Sequence, residues 1–193
     1  MILRRISTPS RHGLPLFSRH FSATPSFSGG NALQGGSYPY PLWFHPEGTV
    51  MAVSFLGPSD VPGKELRKEG IIGWVKGDTE TPDLKPGNFQ TNPTFEDVLH
   101  EVVKENIDED EGIKALALHQ KIGHLNINDQ RTYTSWGRVS DPEDILGTVQ
   151  LDDGSMVPGS YQRMPTHRIV SSNGLFQLSE FLHSKLVDRL QEK

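Results

Sequence analysis

The tripeptide Asp152-Asp153-Gly154 constrains the fold more than any other stretch of this chain. An Asp-Gly pair supplies the positive φ angles of a tight reversal. It stands between two runs with the two-residue period of half-buried strands, residues 148–151 before it and 155–157 after it. The pattern predicts an antiparallel hairpin, ended by Pro158 and Gly159. Upstream, Ser140-Asp141-Pro142-Glu143-Asp144 carries the signals of a short helical turn: an oxygen-bearing cap, a proline where no amide donor is needed, and carboxylates at the positive end. Gly147 is placed to close that turn. Downstream, His167-Arg168-Ile169-Val170 reads as a further strand, and Ser171-Ser172-Asn173-Gly174 as a second reversal before Leu175-Phe176-Gln177-Leu178. Ser179 then caps a C-terminal helix whose Phe181, Leu182, Leu186 and Leu190 fall on one stripe, with Glu180 early and Arg189 and Lys193 late to suit its dipole. Turn, hairpin, strand and helix make this half the expected folding core, with the helix across one sheet face.

The first half adds a strand over residues 49–56, apolar enough to be buried on both faces, and a shorter one at Ile71-Ile72-Gly73-Trp74-Val75. Residues 76–93 hold three prolines and read as a surface loop. Thr94 is the expected cap of the clearest helix: Phe95, Val98, Leu99, Val102, Val103 and Ile107 keep the 3.6-residue period, while Glu96, Asp97, Glu101, Lys104 and Glu105 take the outer face. A weaker helix follows over residues 113–120, with Ile113, Leu116 and Ala117 inward, and Leu125-Asn126-Ile127 is an edge strand. The fold class is therefore α+β, a small mixed or antiparallel sheet packed by two or three helices. The expected organisation is a disordered arm over 1–28, a Gly/Pro/aromatic linker over 29–46 and a single domain over 47–193. In the linker, Tyr40, Trp43 and Phe44 either strap onto the domain or meet a partner, and the strap is favoured.

Residues 1–28 have the composition of a mitochondrial presequence: Arg4, Arg5, Arg11 and Arg19, many serines, and no acidic residue before Glu47. Ile2, Leu3 and Ile6 offer an apolar side, followed by Leu14, Leu16 and Phe17. Arg19, Phe21 and Ser22 mark the expected cleavage region, with Gly29 an alternative mature start. The import machinery and the processing peptidase are thus expected partners of the arm, and the matrix or the inner-membrane surface is the expected location. The formal charge of the whole chain is -5; without those four arginines, 15 basic residues face 24 acidic ones, a balance of -9. Such a balance, with no basic face, argues against nucleic acid as a partner. The chain has no cysteine, which excludes disulfides, thiolate catalysis and Cys-ligated zinc or iron–sulfur clusters. No apolar run approaches the roughly 20 residues that span a bilayer.

Several patterns approach known chemistry and fail on register. Asp108 and Asp110 stand two apart as in a calcium loop, but Gly112 falls at the fifth position rather than the sixth. The run from Gly57 to Lys64 has five residues between its glycines, two of them proline, and Glu65 where a phosphate loop needs a hydroxyl. No Gly-x-Ser-x-Gly elbow occurs. No cofactor or metal is implied. His119 and His124, near Asp129 and Arg131, are the acid–base or metal candidates, though five residues apart is the wrong spacing for one helix face. His100 and His183 are expected merely to flank their helices. Arg138, Tyr161, Arg163 and Arg168 form the other candidate set, an anion site if neighbouring strands bring them together. Against that stands the plainer arrangement in which Arg138 pairs with Asp141 or Asp144 and Trp136 fills the core.

The order Gly137-Arg138, Asp141-Pro142-Glu143-Asp144-Ile145-Leu146-Gly147, Gly159-x-Tyr161, His167-Arg168-Ile169-Val170, Asn173-Gly174-Leu175 and Leu178-x-x-Phe181-Leu182 resembles a family of fungal mitochondrial proteins of unknown function. The resemblance covers mainly residues 133–190. It implies a location and no catalytic residues. Two functions follow as expectations: a non-enzymatic accessory protein that binds another mitochondrial protein through its acidic helices or aromatic arm, or a domain acting on an anionic metabolite through the Arg, His and Tyr positions above.

Overall fold

A computed structural model describes residues 33–35, 38–61, 66–76, 82–135 and 138–192. Arg19, Phe21 and Ser22, the expected cleavage region, and also Trp136, lie outside the described residues. Among the described residues, three helices and two antiparallel sheets give the α+β class expected from the sequence, with a two-stranded hairpin in addition.

The first sheet is a five-stranded meander in chain order: β1 (Leu33–Gln34), β2 (Trp43–Glu47), β3 (Val50–Ser54), β4 (Gly73–Val75) and β5 (Phe89–Thr91). Residues 51–57 are all buried, as the continuous apolarity of this stretch requires, although Phe55 and Leu56 have already left the ladder. Two expectations change here. The segment taken for a linker supplies β1 and most of β2, so the boundary at residue 47 cuts through a sheet. Phe44 is buried opposite Val53, and Tyr38 stacks on Phe55 at 5.8 Å while its hydroxyl donates to Phe176 O. Tyr40 stacks on His183 at 3.8 Å. The aromatic residues that made the segment look like a strap are what hold it in the core. The expected loop over 76–93 likewise ends in β5, where Phe89 pairs with Val75 across a run too short for alternation to register.

The 14-residue helix α1 (Pro93–Asn106) follows, burying Phe95, Leu99, Val102 and Val103. Its cap is Asn92 rather than Thr94, and Pro93 takes the first helical position. Asn92 does more than cap. Its Oδ1 accepts from Thr94 N–H at 3.1 Å, and its Nδ2 donates to Lys68 O at 2.7 Å and Ile71 O at 2.6 Å, with no exposure to solvent. Replacing it by alanine is expected to lower stability by about 3 kcal/mol, a lost cap plus carbonyls stranded without a donor. Asn92→Asp, which keeps the acceptor alone, should be only partly better; urea midpoints of the two variants check this.

Helix α2 (Glu111–Gln120) is capped by Asp110, and the second sheet follows: β6 (Gly123–Asn128), β7 (Ile145–Asp152), β8 (Ser155–Met156) and β9 (Gln162–Arg163), with β6 on one side of β7 and the two short strands on the other. The Asp-Gly reversal is as expected: Asp153 and Gly154 both have positive φ, +44° and +82°, in the two-residue turn between β7 and β8. The upstream turn is shorter than expected. It covers Pro142–Asp144 alone, because Ile145 and Leu146 are buried in the sheet and belong to β7. The second reversal is a small hairpin, β10 (Val170–Ser171) with β11 (Gly174–Leu175). Helix α3 (Glu180–Gln191), capped by Ser179, buries Leu182, Leu186 and Leu190. Phe181 stays half-buried under Lys185, and Leu116 of α2, expected inward, remains 39% exposed. Both sheets and all three helices share one apolar core, centred on Phe55, Phe95 and Phe176 with ring centroids 5.9–6.3 Å apart.

Candidate functional site

Leu125 and Ile127 of β6 point into the core, and the same two-residue period carries Asp129 inward directly after the strand. There it meets Arg131, Asp144 and His167, whose side chains are at most 2% exposed. The Arg131 guanidinium lies 3.0 Å from Asp129 Oδ2 and 3.0 Å from Asp144 Oδ1, and donates to the carbonyls of Gly174 (2.8 Å), Glu143 (3.1 Å) and Arg168 (2.6 Å). Asp129 Oδ1 accepts the amides of Arg131 and Gln177, each at 2.8 Å, and its Oδ2 faces His167 Nε2 at 3.4 Å. Asn173 donates to Asp144 Oδ2 at 3.3 Å. One arginine therefore ties the turn before β7, the segment before β10 and the β10–β11 hairpin to the end of β6. Its charge is met by two carboxylates inside the fold.

A second buried group adjoins the first. His100 of α1 sits 2.8 Å through Nδ1 from the Tyr161 hydroxyl, and its ring meets that of His167 edge-on at 6.2 Å. Burial, with Arg163 and His167 nearby, lowers the His100 pKa to about 4, and burial alone brings His183 to about 4. Burial also raises the Tyr161 and Tyr38 hydroxyls above the usual phenol range. His100 and His183 are not flanking residues, as expected from the sequence, but core ones, 7% and 8% exposed, each with one ring nitrogen lacking a hydrogen-bond partner.

Acid stability depends on these two rings. Both histidines are neutral in the fold, whereas in the unfolded chain they take up protons below about pH 6.5. The stability that depends on their neutrality is complete above that value and falls as pH drops from about 6.5 toward 4. Each is expected to cost about 2 kcal/mol by pH 5. His183→Phe keeps a ring stacked on Tyr40 and edge-on to Phe55 and removes the titrating group. The difference between its urea midpoints at pH 7 and pH 5 should be visibly smaller than that of the unaltered protein.

The residues singled out in the sequence are distributed as follows. Tyr161 faces His100; Arg163 is held by Glu96 at 2.9 Å and Asp97 at 3.0 Å on α1. Arg168 contributes its backbone carbonyl to Arg131, and its side chain lines a shallow depression with Asp141 and Asn173. Arg138 is exposed, and the Asp144 it was expected to contact is engaged by Arg131. Among the described residues, none of the principal cavities is lined by two of these four. His119 is exposed on α2 and His124 is exposed on β6, where its carbonyl accepts from Gln120. No group of three or more metal-ligating side chains occurs among the described residues.

Two of the surface concavities reach down to buried core side chains. One, of about 740 Å³, lies between Tyr38, Leu42 and Phe44, residues 82–85 and the β10–β11 turn. It reaches Arg131, whose guanidinium is already engaged. The other, of about 480 Å³, is a groove between α2 and β6: Ile113 and Leu116 form one wall, Asn126 and Asn128 the other, with Leu146, Leu178 and Leu182 beneath. Tyr133 stands at its rim, 89% exposed. Leu118 and Ile122 are also exposed but do not line this groove. No family model, curated protein or solved structure shows significant similarity to the chain. Among the described residues no helix is long and apolar enough to cross a membrane.

Proposed function

We propose that this chain is a mitochondrial accessory protein that works by holding another protein rather than by converting a metabolite. The observation that carries this reading is the groove beside α2: buried leucines beneath, and Leu116 and Tyr133 left uncovered at its edge. Large apolar side chains gathered around a concavity are the usual mark of a surface that is covered by a partner. The ionisable residues with a preorganised geometry, Asp129, Arg131, Asp144 and His167, are by contrast closed off inside the fold, where they join secondary-structure elements. The aromatic segment, the alternative contact surface, is used within the core. The outer acids of α1 are largely matched as well, Glu101 and Glu105 by Arg189.

The mitochondrial part rests on the basic, acid-free residues 1–28 and on the resemblance of residues 133–190. It is tested by fusing residues 1–28 to a fluorescent protein, where diffuse cytosolic fluorescence would count against it. The binding part is tested by crosslinking in cells and low-salt purification of the tagged chain. A stoichiometric partner lost in Leu116→Asp is expected; no partner, or turnover of a metabolite by the purified chain, sinks the reading.

A further inference from the structure

The groove beside α2 also selects the chemistry of its occupant, an inference that rests on the protein-binding reading above. Its 480 Å³ suits the apolar side chains from about two turns of a helix. Addition of a strand is disfavoured at the start of β6, where the edge is already in use. Gln120 Nε2 donates to the carbonyls of Ile122 at 3.3 Å and His124 at 2.9 Å, the groups an incoming strand would need.

Charge decides the rest. The groove shares Asp110, Gly112, Gln130 and Ser179 with an adjoining depression whose walls carry Glu109, Glu111 and Glu180. Lys114 and Lys185 answer Glu111 at 2.9 Å and Glu109 at 3.7 Å, but both pairs are exposed and weak, and neither Glu180 nor nearby Asp108 enters an ion pair among the described residues. The local potential is negative: the Lys114 ammonium is held above its ordinary pKa by its bond to Glu111, with Glu109 and Asp108 adding to the effect. A two-fold contact between copies would set these carboxylates against themselves. A cationic partner gains from them.

We propose that this groove binds a basic amphipathic helical segment of another polypeptide, its apolar stripe against Ile113, Leu116 and Tyr133 and its arginines or lysines over Glu109, Glu111 and Glu180. Residues 1–17 of this chain combine the same kinds of side chain, Arg4, Arg5 and Arg11 with Ile2, Leu3, Ile6, Leu14, Leu16 and Phe17 and no acid, and a peptide of them makes a ready probe.

The test is fluorescence anisotropy of a labelled peptide of residues 1–17 titrated with the full chain at low salt. Saturable binding is expected, weakened at least about tenfold by Leu116→Asp or Tyr133→Ala, weakened by high salt, and unaffected by Leu118→Ala. Far-ultraviolet circular dichroism and urea midpoints confirm that each variant is folded. Absence of binding overturns the proposal, as does binding insensitive to both groove variants or equal binding of a peptide with its arginines changed to glutamine. Binding that appears only after Arg4, Arg5, Arg11 and Arg19 of the full chain are neutralised would assign the groove to the chain's own leader instead. A dimer in sedimentation that Leu116→Asp dissolves would assign it to a second copy. In those two cases, or if crosslinking recovers a groove-dependent partner with no affinity for the basic peptide, the proposed occupant fails while the protein-binding reading stands.

Discussion

Replacing Arg131 by methionine is expected to destabilise the fold by about 4 kcal/mol or more, a large part of the stability of an ordinary domain. The loss does not come mainly from a missing attraction. It comes from what is left behind: Asp129 and Asp144, buried with no compensating charge, and three carbonyls, those of Glu143, Arg168 and Gly174, deprived of their donor. If stranded charge is the cause, then adding Asp129→Asn and Asp144→Asn to Arg131→Met should recover part of the loss rather than deepen it. With Asp129→Asn, the side-chain oxygen that remains can still accept the backbone amides of residues 131 and 177. Arg131→Lys should fall between, since a point charge replaces the fork that reaches three carbonyls. Urea unfolding of the unaltered protein and these three variants at neutral pH measures all of this.

A fragment that begins at Glu47, the boundary expected from composition, should not fold at all. It would lack β1 and nearly all of β2, leaving β3 with an open edge and uncovering Val53, which pairs with Phe44 in the intact protein. It would also lose Tyr38 and Tyr40, whose rings cover Phe55 and His183 and whose hydroxyls bond to the carbonyls of Phe176 and Leu178. A fragment beginning near Gly29 keeps all of these and should unfold cooperatively with the midpoint of the full chain. Circular dichroism and urea titration of both fragments decide the matter. An equally stable fragment from residue 47 would mean that the first sheet is far less integral than its burial indicates.

The elements that could be read from the sequence are those whose signal is local. The positive φ angles of Asp153 and Gly154 need only neighbouring residues to be anticipated, and the stripes of α1 and α3 repeat often enough to register a period. Short strands could not be read so well. Leu33–Gln34, Phe89–Thr91 and Gln162–Arg163 hold too few residues to show alternation and exist because another strand lies beside them. The buried charged group was missed for a related reason. Asp129 and Arg131 resemble solvated loop residues, Asp144 an acid at a helical turn and His167 an ordinary strand residue, until β7 and the β10–β11 hairpin close over them. The one available hint was Leu125-x-Ile127-x-Asp129, which continues an inward period onto a carboxylate. Candidates chosen for chemical type alone fared differently. Arg163 found carboxylates on a helix far away in sequence, at Glu96 and Asp97, a pairing that no local spacing encodes.

The bonds from Tyr38 to Phe176, Tyr40 to Leu178 and Arg67 to Leu190 each close a loop of more than a hundred residues. A polypeptide emerging from a ribosome can pair its early strands with one another and lay α1 on them, but Tyr38, Tyr40 and Arg67 gain these partners only when the residues leading into and forming α3 have been synthesised. The opening sheet must wait, unsealed, for the tail. Folding of this kind is intrinsically slow, and the interval before closure is when the nascent molecule is most exposed to aggregation and to proteolysis.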